Sequence, residues 1–239
     1  MTQLSVNINK IATLRNARGG NVPNLIKVAK DIESFGAHGI TVHPRPDGRH
    51  IRRDDVYRLK ENLKVEFNIE GYPSDDFLAM VREVKPAQVT FVPDAPDAIT
   101  SNNGWDVKTH QAFLQKIIEQ CQSDGIRTSI FLNPNVEDVK LAATTGTNRI
   151  ELYTESFAKG FLHDKDVAIA PYVSAANRAV DEGLGLNAGH DLSLENLSFF
   201  CTSILSLMEV SIGHALISDA LYYGLENTVA MYLRACTTH

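Results

Sequence analysis

The sequence of 239 residues predicts an α/β fold, a single (β/α)8 barrel of the TIM type. Eight short strand-like runs alternate with helical patterns, and this alternation favours a parallel sheet covered by helices. No composition break, long linker or internal repeat interrupts the alternation, so we expect one domain over residues 1–239. The turn after the first strand lacks the GxGxxG pattern of a doubly wound open sheet, which is the main alternative.

The predicted strands alternate apolar and polar side chains. In Gly39–His43, Thr41 and His43 share one face, while Ile40 and Val42 share the other. Parallel sheets are normally apolar on both faces, and a buried polar face is costly unless it is solvated, paired or used. We therefore interpret the polar face as the lining of a site. The predicted strands are Leu4–Asn9, Gly39–His43, Val65–Glu70, Gln88–Pro93, Thr128–Asn133, Arg149–Thr154, Leu184–Asn187 and Glu209–Gly213.

The helices are predicted from apolar spacing and from their start and stop signals. Pro23 precedes the first helical pattern and Gly36 follows it, as in capped helices. Residues 9–20 are expected to form a turn, and the segments 15–23, 93–106 and 155–166 are candidate loops at the active-site end. The predicted helices are Asn24–Phe35, Arg53–Leu63, Ser74–Val84, Val107–Ser123, Val136–Thr145, Asp164–Glu182, Ser193–Leu207 and Ala215–Arg234.

Composition narrows the possible partners and location. The net charge of −6 gives no overall basic signature of nucleic-acid binding, although Arg15 and Arg18 form a local basic pair. No run approaches the roughly 20 apolar residues that span a membrane, and the N-terminus does not resemble a signal peptide. Three cysteines without CxxC spacing suggest reduced thiols. We expect a cytoplasmic protein with neither nucleic-acid nor membrane partners.

Three inward-facing titratable residues stand at or near strand ends. His43 ends the second predicted strand, Glu70 ends the third, and Glu151 lies in the sixth. An imidazole there can transfer protons near neutral pH, and carboxylates in a partly dry lumen can act as bases with a raised pKa. The alternative for either glutamate is an ion pair with an inward Arg or Lys. Glu66 lies on the same face of the predicted strand, four residues before Glu70, and is expected to be structural.

Two segments have the composition of anion-binding sites. Arg45 and His50 follow the second strand, where a guanidinium matches phosphate oxygens in bidentate geometry; the alternative is a solvated basic loop. His190 and Gly213-His214 end the last two strands. The glycines there let the backbone approach an anion, and a helix start supplies N–H groups. The alternative is that these glycines only make tight turns.

A metal site is disfavoured by the sequence. There is no HExxH or His-x-His motif, and the cysteines cluster with no other ligand type. His43, His190 and His214 with Glu70 are a conceivable ligand set, but the neighbouring arginines would repel a cation.

Seven motifs follow one another from the first strand to the last helix. They are Val6-Asn7-Ile8, Ile11–Arg18, Gly39–His43 with Arg45 and Arg49-His50-Ile51, Asn68-Ile69-Glu70, Ile150-Glu151, Leu186–His190 and Ile212–Ala215. In this combination the chain resembles the pyridoxine 5′-phosphate synthase family. The resemblance implies a barrel with extra helices that assembles as a homo-octamer and uses no metal or organic cofactor.

The resemblance also implies the reaction and the site. The family condenses 3-amino-2-oxopropyl phosphate with 1-deoxy-D-xylulose 5-phosphate to pyridoxine 5′-phosphate, phosphate and water. By motif, His43 and Glu70 would accept protons, His190 would donate one, and Glu151 would stabilise the transition state. The residues expected to bind the aminoketone phosphate are Asn7, Arg18, Gly213 and His214, and those expected to bind the deoxyxylulose phosphate are Arg45, His50 and Thr100.

The chain departs from the family pattern at three expected substrate contacts. Many members carry Asp-His where this chain has Asn9-Lys10, and a glycine where it has Asp191. Asn9 can still form hydrogen bonds but is a poor base. At Asp191 only the backbone N–H could replace the glycine contact, so we expect its carboxylate to face away from a bound phosphate.

Two other functions are compatible with a phosphate-binding barrel. An isomerase or aldolase would use a Glu/His pair or a Schiff-base lysine, and Lys10 is the only lysine near the active end of a strand. A non-catalytic phosphometabolite sensor would bind one ligand without turnover. The many acid and base candidates argue against a sensor.

Overall fold

The computed structural model describes residues 1–94 and 103–237, and in these residues eight parallel strands close into a barrel. Each strand pairs with its neighbour in sequence, and the eighth pairs with the first, with Val210 opposite Leu4. The predicted (β/α)8 barrel is therefore confirmed. The strands are β1 Gln3–Asn7, β2 Gly39–Val42, β3 Glu66–Gly71, β4 Gln88–Phe91, β5 Arg127–Leu132, β6 Arg149–Tyr153, β7 Gly185–Gly189 and β8 Leu207–Ile212.

The helices surround the barrel. The apolar strand residues Ile40, Val42 and Ile69 are fully buried, consistent with packing against this helical layer. Several helices begin at the predicted capping residues: the Ser74 hydroxyl, for example, accepts a hydrogen bond from the Phe77 N–H. The helices are α1 Asn9–Asn16, α2 Leu25–Ser34, α3 Arg53–Asn62, α4 Asp75–Val84, α5 Val107–Ser123, α6 Val136–Ala143, α7 Glu155–Phe161, α8 Lys165–Asp181, α9 Leu197–Ser203, α10 His214–Tyr223 and α11 Leu225–Thr237.

Residues 9–20 do not form the expected turn, because α1 occupies most of that segment. Ile11, Ala12 and Arg15 lie on its buried face, and an arginine in that position interrupts the apolar spacing that would have revealed the helix. The burial is possible because the Arg15 guanidinium binds the Asp55 carboxylate. Arg15 and Arg18 therefore do not form a basic pair: Arg15 is buried against Asp55, whereas Arg18 is exposed.

Three further element predictions needed correction. The segment 155–166, a candidate loop, contains the short helix α7. Phe157 is its one buried side chain, and a single buried residue gives no helical periodicity in the sequence. The helix predicted over residues 193–207 shortens to α9. The predicted last helix divides at Gly224, whose φ of 76° ends α10 before α11 begins.

Polar side chains fill much of the barrel interior, where bulky aliphatic residues are usual. The Ser5 and Thr41 hydroxyls are 2.7 Å apart, the Asn68 amide donates to Thr41, and the Thr90 hydroxyl donates to Asn68. This chain of hydrogen bonds satisfies groups that would otherwise be costly to bury. Of the helices in the described ranges, none is long and apolar enough to cross a membrane.

Candidate active site

Asn7, His43 and Glu70 meet at the carboxyl end of the barrel. The Asn7 amide nitrogen lies 3.4 Å from Glu70 Oε2, and His43 Nδ1 lies 3.9 Å from the same oxygen. The alternation of β1 and β3 turns Asn7 and Glu70 inward, and His43 follows the end of β2. The structure therefore brings together three of the residues that the sequence singled out.

Burial sets the charge states of His43 and Glu70. Desolvation, aided by the positive charge of Arg45, lowers the pKa of His43 well below its usual value and keeps the imidazole neutral. Desolvation raises the pKa of Glu70 to about 7; His190 opposes this shift and Asp94 adds to it. A neutral imidazole beside a carboxyl group that titrates near neutrality can accept and return protons.

Glu151 projects from β6 into the same barrel and is almost completely buried. Burial raises its pKa well above the usual value, and the charges of Glu70 and Glu209 act in the same direction. Its Oε2 atom has no hydrogen-bond partner among residues 1–94 and 103–237. The ion pair considered as an alternative is not formed there, and burial favours the neutral carboxyl group, which can donate a hydrogen bond.

Deeper in the barrel, two carboxylates pair with arginines. Glu66 forms an ion pair with Arg127, whose hydrogen bonds lower the pKa of Glu66 despite its partial burial. Arg149 Nη1 lies 3.3 Å from Glu209 Oε2 and 3.2 Å from the Asn187 amide oxygen. Glu66 thus has the salt-bridged environment expected of a structural residue.

His190 follows the end of β7 and is held by its neighbour. Its Nδ1 lies 2.9 Å from Asp191 Oδ2, and its ring contacts the Tyr153 ring edge-on at 5.2 Å between centroids. Burial disfavours the charged ring, but the hydrogen bond and charge of Asp191, with Glu70 and Asp94, raise the pKa of His190. The Asp191 N–H donates to Thr154 Oγ1.

Gly213 and His214 form the start of α10 beside the site. Gly213 precedes the helix, and a Cβ atom there would lie 3.1 Å from Asn7 Cβ, so glycine lets the chain pass close to Asn7. Unpaired N–H groups of a helix N-terminus attract anions. His214, like Lys10 at the start of α1, is exposed.

Arg45 and His50 lie on the loop after β2. Arg45 Nη2 is 2.7 Å from Asp94 Oδ2, and both side chains are buried. Burial, with the charges of Arg45 and Arg49, lowers the pKa of His50 to about 4. His50 Nδ1 accepts a hydrogen bond from the Ile51 N–H, so the neutral ring is fixed.

The loop after β2 is fastened to α1 and α3. Arg15 donates to both carboxylate oxygens of Asp55, at 2.6 and 2.8 Å, and to the His50 carbonyl at 3.1 Å. The Asn16 amide donates to the Arg49 and His50 carbonyls. These contacts hold the loop without using its side chains.

Asn9 links the first two strand ends. Its side-chain oxygen accepts from the His43 N–H at 3.0 Å, and its own N–H donates to the Asn7 side-chain oxygen. Asn9 thus supports two site residues. The remaining predicted residue, Thr100, lies outside the described residues.

A cavity of about 420 Å³ opens beside the loop after β2, and His43 and Arg45 are the predicted site residues that line it. His43, Arg45 and Asp94 line one side, and Tyr72 and Phe77 contribute apolar surface. A volume of this size suits a small metabolite. Within the described ranges, no group of three or more His, Cys, Asp or Glu side chains is placed to hold a metal ion.

Asp94, Asp55 and Asn16 are the residues of this region that sequence reasoning did not select. Asp94 follows the end of β4, and the strand-end argument that selected His43 and Glu70 could have identified it. Asp55 lies within a helix, and its pairing with Arg15 follows only from the packing of α1 against the loop after β2.

The fold and site together define a (β/α)8-barrel enzyme with a cluster of acid and base groups at the carboxyl end of its strands. Among solved structures, phosphoribosylanthranilate isomerase from Thermotoga maritima matches with a TM-score of 0.57 and 14% identity, over 99% of this chain and 98% of that one. Tryptophan synthase from M. tuberculosis matches with a TM-score of 0.65 and 12% identity, over 100% and 93%. At these identities the likeness concerns the fold.

The chain belongs to the family described as pyridoxal phosphate biosynthesis protein PdxJ, whose model matches residues 4–238. It is 63% identical over 236 residues to the pyridoxine 5′-phosphate synthase of Parabacteroides distasonis, covering 99% of each chain. It is 61% identical over 232 residues to that of Bacteroides fragilis, covering 97% of this chain and 98% of the relative. The family expected from the sequence motifs is confirmed.

Proposed function

We propose that this chain is a pyridoxine 5′-phosphate synthase of vitamin B6 biosynthesis. It condenses 3-amino-2-oxopropyl phosphate with 1-deoxy-D-xylulose 5-phosphate and releases inorganic phosphate and water. The observation that carries the proposal is that His43, Glu70 and His190, whose pKa values are all shifted, lie at the barrel end that also holds the Arg45–His50 loop and the helix start at Gly213. Two phosphorylated substrates need two anion sites, and ring formation needs several proton transfers.

The charge states fit distinct roles for the titratable groups. A neutral His43 and an ionised Glu70 accept protons during imine formation and elimination of phosphate. His190, whose pKa is raised, donates a proton to a leaving group. The neutral Glu151 carboxyl group donates a hydrogen bond to oxygen that gains negative charge in the transition state.

The two substrates occupy neighbouring loops in this proposal. The helix start at Gly213 and His214, with Asn7 and Arg18, binds the aminoketone phosphate. Arg45, His50 and Thr100 bind the deoxyxylulose phosphate, and Asn9 and Lys10 contribute further substrate contacts. Holding both molecules at one barrel end replaces a bimolecular encounter by a positioned reaction.

Subunit association and location complete the proposal. The exposed Leu221, Tyr222 and Tyr223 give the end of α10 an apolar surface, which favours self-association. The proposed number of subunits, eight, is what the resemblance to the family implies. The three cysteines are buried and unpaired, as expected of a cytoplasmic protein.

The test is to mix the purified protein with both phosphates and follow the absorbance and fluorescence of a new pyridine ring together with phosphate release. The Glu70→Gln variant should retain its fold and lose at least about 100-fold in kcat, the usual contribution of a general base. Lys10→Ala distinguishes the aldolase alternative, because loss of a Schiff base would abolish turnover. Absence of product from folded wild-type protein would refute the proposal.

A further inference from the structure

The backbone at His190 adopts a conformation that side chains other than glycine rarely take. Its φ is 106°, and in residues 1–94 and 103–237 the only other non-glycine residue with positive φ is Lys85. Such strain persists where the surroundings over-determine it, and it marks functional positions. The surroundings of His190 therefore indicate what the strained backbone positions.

Thr154 clamps the chain on both sides of His190. Its hydroxyl donates to the Gly189 carbonyl at 2.7 Å and accepts from the Asp191 N–H at 3.3 Å. Thr154 is fully buried at the end of β6, so the clamp joins the β7 loop to the barrel. The backbone of residues 189–191 is thereby fixed without any contact to the imidazole.

The imidazole itself is fixed by Asp191 and Tyr153. Asp191 Oδ2 lies 2.9 Å from Nδ1, and the Tyr153 ring meets the histidine ring at an interplanar angle of 79°. A carboxylate on Nδ1 assigns one proton to that nitrogen and leaves Nε2 as the atom that donates to a reactant. The sequence predicts that the Asp191 carboxylate faces away from a bound phosphate, and this contact with His190 gives the carboxylate a different partner.

We propose, on the basis of the proposed function, that Asp191 is a positioning residue that orients His190 and keeps it protonated as the proton donor. The carboxylate acts through the histidine and does not bind the substrate phosphate.

The charged and titratable groups around His190 come from several elements. Glu70 of β3 and Asp94 after β4 favour its charged form, as Asp191 does. His43 after β2 acts on it as a like charge only when both rings are protonated, and Tyr153 of β6 provides ring contact. Asp191 also forms a hydrogen bond with His190.

The experiment compares Asp191→Asn and Asp191→Glu with wild type, using Glu195→Gln as the matched control. Glu195 is an exposed acidic residue on the same loop, and replacing its side chain is expected to leave activity unchanged. NMR titration of the His190 imidazole in ligand-free protein measures the pKa directly. The pH dependence of kcat, with KM for each substrate, measures the consequence for turnover.

In Asp191→Asn, the pKa of His190 should fall by about one pH unit or more, the usual effect of removing an adjacent opposite charge. The alkaline limb of the kcat profile should move to lower pH by the same amount, with KM values unchanged. Asp191→Glu should restore most of the His190 pKa and most of the position of the alkaline limb. Glu195→Gln should match wild type in both measurements.

Two results would overturn the proposal. One is an unchanged His190 titration in Asp191→Asn; the other is a raised KM for the aminoketone phosphate with kcat unchanged. If Asp191→Asn fails to fold, the NMR chemical shifts of the His190 ring nitrogens in wild-type protein test the proposal instead. A hydrogen-bonded Nδ1–H is directly visible in them, and its absence would overturn the proposal. Wild-type protein that makes no pyridine product refutes the proposed function, whereas the NMR titration still decides the role of Asp191.

Discussion

Replacing Glu209 by glutamine should remove a large part of the pH dependence of folding stability. Glu209 lies inside the barrel on β8, with 4% of its surface exposed. Burial raises its pKa from 4.5 to about 7, although Arg149 at 3.3 Å opposes the shift. The folded state therefore holds this proton more tightly than the unfolded state. The corresponding stability is complete below about pH 4.5 and is lost as the pH rises to about 7.

The magnitude follows from the two pKa values. A rise from 4.5 to about 7, at about 1.4 kcal/mol for each pH unit, corresponds to about 3 kcal/mol. This is a large part of the roughly 5–15 kcal/mol that stabilises a typical domain. Glutamine resembles the neutral acid and does not titrate. The stability of the variant relative to wild type should thus increase by about 3 kcal/mol between about pH 4.5 and 8.

Urea unfolding of both proteins across this pH range measures the difference. Glu66→Gln is the matched control, because the hydrogen bonds and charge of Arg127 lower the pKa of Glu66. The pH effect of this control should have the opposite sign, because ionised Glu66 stabilises the folded state above its unfolded pKa. Glu66→Gln should therefore lose stability relative to wild type as the pH rises. Parallel stability curves for Glu209→Gln and wild type would show that the reasoning about the buried carboxylate is wrong.

Three further changes test the site. Asp94→Asn leaves the buried Arg45 guanidinium without its carboxylate, which should cost about 3–5 kcal/mol in thermal or urea unfolding. It should also lower the pKa of Glu70, which Asp94 raises, and move the acidic limb of the kcat/KM profile to lower pH; an unmoved limb would contradict this. Gly189→Ala places a Cβ atom 2.7 Å from the Ser211 carbonyl oxygen and 2.8 Å from Glu151 Oε1. The backbone clash should lower stability by about 1–3 kcal/mol, and the displaced Glu151 carboxyl group should lower kcat about tenfold or more. Asn16→Ala removes two of the hydrogen bonds that hold the backbone of residues 49 and 50, and steady-state kinetics should show KM rising for the deoxyxylulose phosphate more than for the aminoketone phosphate.

The sequence by itself determined the barrel and the main members of the site. All eight strands were predicted to within a few residues, because period-two alternation and helical spacing are local properties of the chain. The same alternation turned Asn7, Glu70 and Glu151 inward. Their meeting with His43 follows from closure of the barrel, since the carboxyl ends of parallel strands share one end.

Only the tertiary structure decided which groups pair and which remain titratable. Glu66 and Glu151 look alike in the sequence, yet one pairs with Arg127 and the other is buried with a raised pKa. Helix α1 was missed because its buried arginine is acceptable only with Asp55, 40 positions away in the chain. The sequence predicts only that the Asp191 carboxylate faces away from a bound phosphate; the tertiary structure shows that it lies on His190. Charge state and pairing depend on burial and on distances between remote residues, and a local pattern contains neither.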